Sequence, residues 1–147
     1  MLTKNDILFC DYDTSVALQK LGFKEKCPTY YDSEDNVGLL YNTQWTFENM
    51  PCQFVDCLES HNTCTYDDCS YVDAPTIYQA QRWLIENRNL HVSTRPYVCE
   101  DGIMWMCEIR QFSNVLVKLV RAKTGFCSPD ESLSEGIKMA IEYIYMM

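Results

Sequence analysis

The fold of this chain is decided by residues 91–122, which read HVSTRPYVCEDGIMWMCEIRQFSNVLVKLVRA. Two short polar pairs punctuate this stretch, Asp101-Gly102 and Ser113-Asn114, and both are typical of tight turns between strands. The residues around them are rich in the β-branched and aromatic types that strands favour. We therefore predict three successive antiparallel strands, at residues 91–99, 103–110 and 115–122.

The middle strand shows which side of the sheet is buried. Apolar residues alternate with a second set along it, and a period of two places the two sets on opposite faces. The set that we expect to face the core is Ile103, Trp105, Cys107 and Ile109.

A helix is predicted on each side of the three strands. The first is capped by Asp73 or Ala74, has Pro75 in its first turn and ends near Arg88 or Asn89; proline is tolerated there because the first amides of a helix have no internal partner. The second begins with Ser128-Pro129-Asp130-Glu131, a capping box in which Ser128 and Glu131 exchange hydrogen bonds with each other's backbone. Gly136 lies inside that helix and indicates close packing against another backbone.

The chain is predicted to form one α+β domain over residues 1–147, with an antiparallel sheet packed by two helices on one face. Residues 74–147 form an α-β-β-β-α block. Residues 1–73 are predicted to hold a helix that Asp13 caps and Gly22 ends, a hairpin with strands at 29–32 and 37–41, and a cysteine-rich irregular segment.

Composition restricts the possible partners. The 147 residues are 47% hydrophobic and 13% aromatic, as in a folded protein. The net charge of −9 comes from the first half, because residues 74–147 hold eight acids and eight bases. An acidic surface repels phosphate, so nucleic acid is an unfavourable partner.

The lack of a membrane-length apolar run or a signal peptide at residues 1–13 predicts a cytoplasmic protein without a membrane association.

The nine cysteines are expected to be thiols or metal ligands, since disulfides are rare in the cytoplasm. Two pairs, each enclosing four residues, suggest a structural zinc site: Cys52, Cys57, Cys64 and Cys69. Zinc pairs are usually more tightly spaced and often contain glycine, which this segment lacks. We therefore prefer a set of independent, partly buried thiols, with zinc as the alternative and no other cofactor.

Catalysis has little support in the sequence. A cysteine nucleophile needs a neighbouring base, for which only His61 and His91 are available, and no family signature surrounds any cysteine. Aromatic residues crowd the first half and suit either the core or a protein-binding face. They are Tyr30, Tyr31, Tyr41, Trp45, Phe47, Tyr66 and Tyr71.

The α-β-β-β-α order is similar to that of double-stranded RNA-binding domains. That family has a basic cluster at the start of its last helix, where it meets phosphate. Here the corresponding residues are Asp130, Glu131 and Glu135, which would repel it.

Three other segments resemble a group of small, uncharacterised phage and prophage proteins of gut bacteria. They are Cys27-Pro28-Thr29-Tyr30-Tyr31-Asp32, the run from Ala74-Pro75-Thr76 through Trp83-Leu84-Ile85-Glu86 to Asn89-Leu90-His91, and the final helix from Asp130 to Ile137. The group has no assigned activity, so the resemblance implies none.

The sequence predicts a noncatalytic intracellular binding or accessory protein that acts through an unknown protein partner, and the resemblance implies a phage or prophage origin. The alternative is a zinc-stabilised module associated with nucleic acid, and the third is a thiol-dependent enzyme.

Overall fold

The computed structural model describes residues 9–25, 27, 29–31 and 72–147. These residues form α1 (Tyr12–Lys20), β1 (Thr29–Tyr31), β2 (Val72–Ala74), α2 (Ile77–Arg88), β3 (Leu90–Cys99), β4 (Gly102–Phe112), β5 (Val117–Phe126) and α3 (Pro129–Met146). The chain divides into two compact units, Met1–Thr76 and Ile77–Met147. The prediction that residues 1–147 form a single domain stays a prediction.

The second unit has the predicted α+β architecture. Strands β3, β4 and β5 form an antiparallel sheet in that order. Helix α2 packs on β3, and α3 packs on all three strands. The register places four fully buried side chains on the face that the helices cover, namely Leu90, Val92, Cys107 and Ile109. The predicted sheet with two helices on one face is confirmed.

The predicted core face of β4 is buried over only part of its length. Cys107 and Ile109 are fully buried, Trp105 is half-buried, and Ile103 is largely exposed. The alternation was therefore predicted correctly, but the cover does not reach the Asp101-Gly102 end of the hairpin, where Val98 and Ile103 pair in the open. Gly102 has the positive φ (103°) that the predicted turn requires.

Strand β5 begins two residues later and ends four residues later than predicted. Ser113 holds residues 113–116 as a turn, which delays the start. Two register shifts then add Val120 and one residue near Gly125 to the strand. Gly125 has a positive φ of 95°, which a side chain would disfavour. These bulges carry the strand past the predicted end at residue 122.

Helix α3 begins with the predicted cap. Ser128 Oγ accepts a hydrogen bond from the Glu131 amide at 3.2 Å, and Pro129 is in the first turn. Glu131 accepts from the amide of Cys127 (3.3 Å) and not from that of Ser128, as a strict capping box would require. A Cβ at Gly136 would lie 2.6 Å from Val92 Cγ1 and 3.1 Å from Cys107 Cβ. The close approach predicted at Gly136 is present, but side chains and not backbone face it.

Helix α1 belongs to the first unit and starts earlier than predicted. Asp11, not Asp13, is the N-cap and accepts from the Thr14 amide at 2.8 Å. Gly22 follows the helix with a positive φ of 101°, as predicted. The Phe23 amide donates to Leu18 and the Gly22 amide donates to Gln19, which is the Schellman pattern.

The structure of the segment before α2 differs from the prediction. Residues 72–74, expected to be irregular or to cap the helix, form β2 and pair antiparallel with β1. Helix α2 therefore starts at Ile77, because the backbones of Pro75 and Thr76 pair with Cys10 and Phe9. The strand at residues 29–31 is confirmed, and the predicted return strand at 37–41 lies outside the described residues.

Candidate protein-contact surface

A group of apolar side chains is exposed to solvent at the turn between β4 and β5. We call these five residues the apolar tip: Phe112 (36% exposed), Val115 (88%), Leu116 (56%), Val117 (53%) and Leu119 (51%). Single exposed apolar residues are ordinary on soluble proteins, whereas a contiguous exposed group marks an interaction surface.

The strand register makes the apolar tip contiguous. Phe112 lies opposite Val117, and Arg110 lies opposite Leu119. Residues two apart on a strand share a face, so Phe112, Val117 and Leu119 adjoin on the outer face, the face opposite the helices. Val115 and Leu116 extend this group around the turn.

The turn that carries the apolar tip is held by one serine. The Ser113 amide donates to the Leu116 carbonyl at 2.9 Å. In return, Ser113 Oγ accepts from the amides of Val115 (3.4 Å) and Leu116 (3.2 Å). The His91 ring meets the Phe112 ring edge-on, with 6.2 Å between centroids. The tip is therefore a preformed surface, and a partner would not have to order it on binding.

An ion-paired cluster borders the apolar tip on the outer face. Glu108 is only 7% exposed at its side chain and lies between Arg95 Nε (2.5 Å) and Arg110 Nη2 (2.6 Å). The hydrogen bond from Arg95 and the charges of both arginines hold the pKa of Glu108 below its usual range, against the opposing effect of burial. The cluster carries one net positive charge next to the apolar tip.

Strand β5 also presents an open backbone edge. The Ser113 amide bonds the Leu116 carbonyl, so hydrogen-bonded and non-bonded pairs alternate from that point. Val117, opposite Phe112, is then in a non-bonded pair, as is Leu119 opposite Arg110. Their N–H and C=O groups point away from β4, and within residues 72–147 no strand pairs with that side.

The opposite edge of the sheet, on β3, is partly closed. The Phe112 amide donates to Asn89, so the even-numbered residues of β3 point their backbone groups away from β4. Gln81 of α2 donates to the outward carbonyl of Val92 at 2.6 Å. Pro96 has no N–H to offer at its outward position. The two edges of one sheet therefore differ in their capacity to accept another strand.

The predicted zinc ligands Cys52, Cys57, Cys64 and Cys69 lie outside the described residues, as does His61. Within the described ranges, no group of three or more His, Cys, Asp or Glu residues could hold a metal ion.

Two of the described cysteines have perturbed thiols. Burial raises the pKa of Cys27 well above its usual value, and Asp73, Cys10 and Glu25 add to this effect. Burial also raises the pKa of Cys107. Both thiols are therefore held in the protonated form, which is a poor nucleophile and a poor metal ligand.

The acids at the start of α3 are engaged within the protein. Asp130 accepts a hydrogen bond from the Tyr78 hydroxyl at 2.9 Å. Burial, and then this bond and the charge of Asp130, raise the pKa of Tyr78. Lys123 Nζ lies 3.3 Å from Glu135. This helix end presents carboxylates where a phosphate-binding helix would present cations.

The apolar tip was not predicted from the sequence. Its signal was available in residues 114–120, which read NVLVKLV and hold five apolar residues with a single cation. We predicted a strand at residues 115–122, but no described element covers its apolar residues at 115–119. Of the predicted aromatic set, Tyr31 is buried, as a core residue would be, and its hydroxyl donates to the Cys10 carbonyl at 2.8 Å.

Comparison with known proteins finds no matching family model, curated protein or solved structure. None of the helices within the described residues is long and apolar enough to cross a membrane.

Proposed function

We propose that this chain is a noncatalytic binding or accessory protein of phage origin that acts in the cytoplasm through protein contacts. The apolar tip is the observation that carries the proposal. Its five side chains are exposed on a turn that Ser113 holds in place. Binding there would remove apolar surface from water at little cost in ordering.

The chemistry of the described residues supports a contact function over the alternatives. The two cysteines whose pKa is perturbed have it raised, which disfavours the thiolate that a thiol enzyme needs. The start of α3 is acidic, which disfavours a phosphate backbone. An apolar surface beside a charged cluster has the composition of a protein interface, with an apolar centre and a polar rim.

The test is affinity capture from the bacterial host with the full chain and two double variants. The first, Val115→Asp with Leu116→Asp, places two charges on the apolar tip. The second, Val98→Asp with Ile103→Asp, is the matched control, since Val98 and Ile103 are exposed apolar residues at the opposite hairpin end. Circular dichroism and thermal unfolding establish that both variants are folded.

We expect one partner protein at near-stoichiometric yield with the natural chain and with the control, and its loss with the tip variant. Retention of the same proteins by all three chains would contradict the apolar tip as the contact. Loss with the control alone would move the contact to the opposite hairpin. A partner whose capture disappears after nuclease treatment would favour the nucleic-acid alternative.

A further inference from the structure

We propose that β5 binds an extended segment of the partner protein as a fourth strand of the sheet, and that this segment alternates acidic and apolar residues. The inference rests on the proposed function and specifies its mode and its partner chemistry. The apolar tip would then be half of the contact, and the open backbone edge of β5 the other half.

The backbone of β5 provides the first argument. Val117 and Leu119 point their N–H and C=O groups away from β4, as the pairing at Ser113 and Leu116 sets. A free strand edge can gain main-chain hydrogen bonds from an added strand. The side chains of the same two residues stand on the outer face in the apolar tip, so one added strand would engage both.

The side chains of β5 separate by charge across the sheet. Lys118, Arg121 and Lys123 lie opposite Gln111, Ile109 and Cys107, which places all three cations on the helix-covered side. Val117, Leu119 and Ala122 lie opposite Phe112, Arg110 and Glu108 on the outer side. The strand contains no acid. A complementary strand therefore has acids on one side and apolar residues on the other, which is alternation with a period of two.

The three cations are not equally available. Lys123 pairs with Glu135 at 3.3 Å. The Arg121 guanidinium lies 5.2 Å from the centroid of the Tyr143 ring and donates to the Val120 carbonyl. Lys118 is exposed at the regular end of the strand, beside the apolar tip. We expect the attraction for an acidic segment to be centred on Lys118, with Arg121 next to it.

The same features disfavour a second copy of this chain as the fourth strand. A second β5 would bring three more cations and no acid to the edge, and like charges across a strand pair are destabilising. The bulges at Val120 and Gly125 further interrupt a long self-pairing. Cations and bulges on a strand edge disfavour pairing with most other strands. A segment with acids opposite these cations is attracted instead, so the edge is selective for acidic segments.

The first test selects ten-residue peptides from a random displayed library on the full chain. We expect enriched sequences with acids at alternate positions and Val, Ile or Leu between them. The most enriched peptide, made synthetically, should bind Lys118→Glu about three- to tenfold more weakly than the natural chain. Lys24→Glu, which changes an exposed lysine of the first unit, is the matched control and should bind like the natural chain.

The second test asks whether binding uses the peptide backbone. Two forms of the same peptide carry N-methyl groups on alternate amides, one form on the even amides and the other on the odd. In strand addition only one set of amides faces β5, so one form should lose at least about tenfold in affinity and the other should keep it. Equal loss or equal retention would overturn the strand addition.

Several other results of these two tests would contradict the strand addition. Enriched peptides that are basic, that lack alternation or that bind Lys118→Glu undiminished would overturn the proposal, as would a library without binders or concentration-dependent dimerisation through β5. If the tip variant loses its cellular partner but no acidic peptide binds the natural chain, the strand addition fails and the proposed function stands. If the tip variant keeps every partner, the proposed function fails as well.

Discussion

The two edges of the three-stranded sheet have the same backbone chemistry and opposite surroundings. On β3, the outward carbonyl of Val92 accepts from Gln81, Pro96 removes an outward donor, and Leu90 and Val92 are buried under helices. On β5, Val117 and Leu119 are half exposed, and within residues 72–147 their outward backbone groups face no strand. One edge is partly covered by its own unit, and the other is open.

On our proposal, the difference separates stability from binding within one small unit. Apolar residues on β3 are buried against α2 and α3, so their removal should cost folding free energy. On β5, Val117 and Leu119 are half exposed and contribute little to the core, so folding alone does not explain their exposure. The predictions below change one edge at a time.

The largest effect should come from the same substitution made on each edge. Leu90→Ala removes a side chain that is 1% exposed, and we expect the free energy of unfolding to fall by about 2–5 kcal/mol. Leu119→Ala removes one that is 51% exposed, and the change should stay within about 0.5 kcal/mol. Urea unfolding measures both. Equal losses of unfolding free energy would show that Leu119 is as buried as Leu90.

A smaller loss is expected where α3 meets the sheet. Gly136→Ala would place a Cβ 2.6 Å from Val92 Cγ1, and Val92 is β-branched and fully buried. We expect overpacking to outweigh the better helix propensity of alanine and to lower stability by about 1–3 kcal/mol. A double-mutant cycle with Val92→Ala supplies the control, because the double variant should lose less than the sum of the two single losses. If the two losses simply add, the contact between residue 136 and Val92 is not the cause of the lower stability.

The hydrogen bond from Gln81 to the β3 edge should contribute about 1 kcal/mol to the free energy of unfolding. Gln81→Ala removes the hydrogen bond to Val92 O and leaves that carbonyl without its donor. Glu86→Ala, at an exposed position of α2, is the control for helix propensity. If both variants unfold at the same urea concentration, Gln81 does not close this edge in solution.

The smallest effect concerns the cluster between the edges. The folded pKa of Glu108 is lowered, so the stabilisation by its arginines is present above the unfolded pKa of about 4.3 and is lost as the pH falls through the folded value. The difference in stability between the natural chain and Glu108→Gln should be less than about 1 kcal/mol at neutral pH and should shrink on acidification. A difference that grows on acidification would contradict the direction of the shift.

Local signals made much of the second unit predictable. Asp101-Gly102, the Ser128 cap and the alternation along β4 each depend on neighbours in the sequence, and each has the expected consequence in the structure. Strand β2 could not be anticipated, because its partner β1 is some forty residues away and residues 72–74 show no alternation of their own. The exposure of Val117 and Leu119 could not be anticipated either, since an apolar strand looks the same in sequence whether or not something covers it.

Amide hydrogen exchange on the full chain shows whether β5 is the binding edge. Exchange rates are measured by NMR with and without the most enriched library peptide. We expect slower exchange at the amides of Val117 and Leu119 in the complex and unchanged exchange at Val92. Protection that appears on β3 or on the helices while Val117 and Leu119 keep their free rates would contradict it.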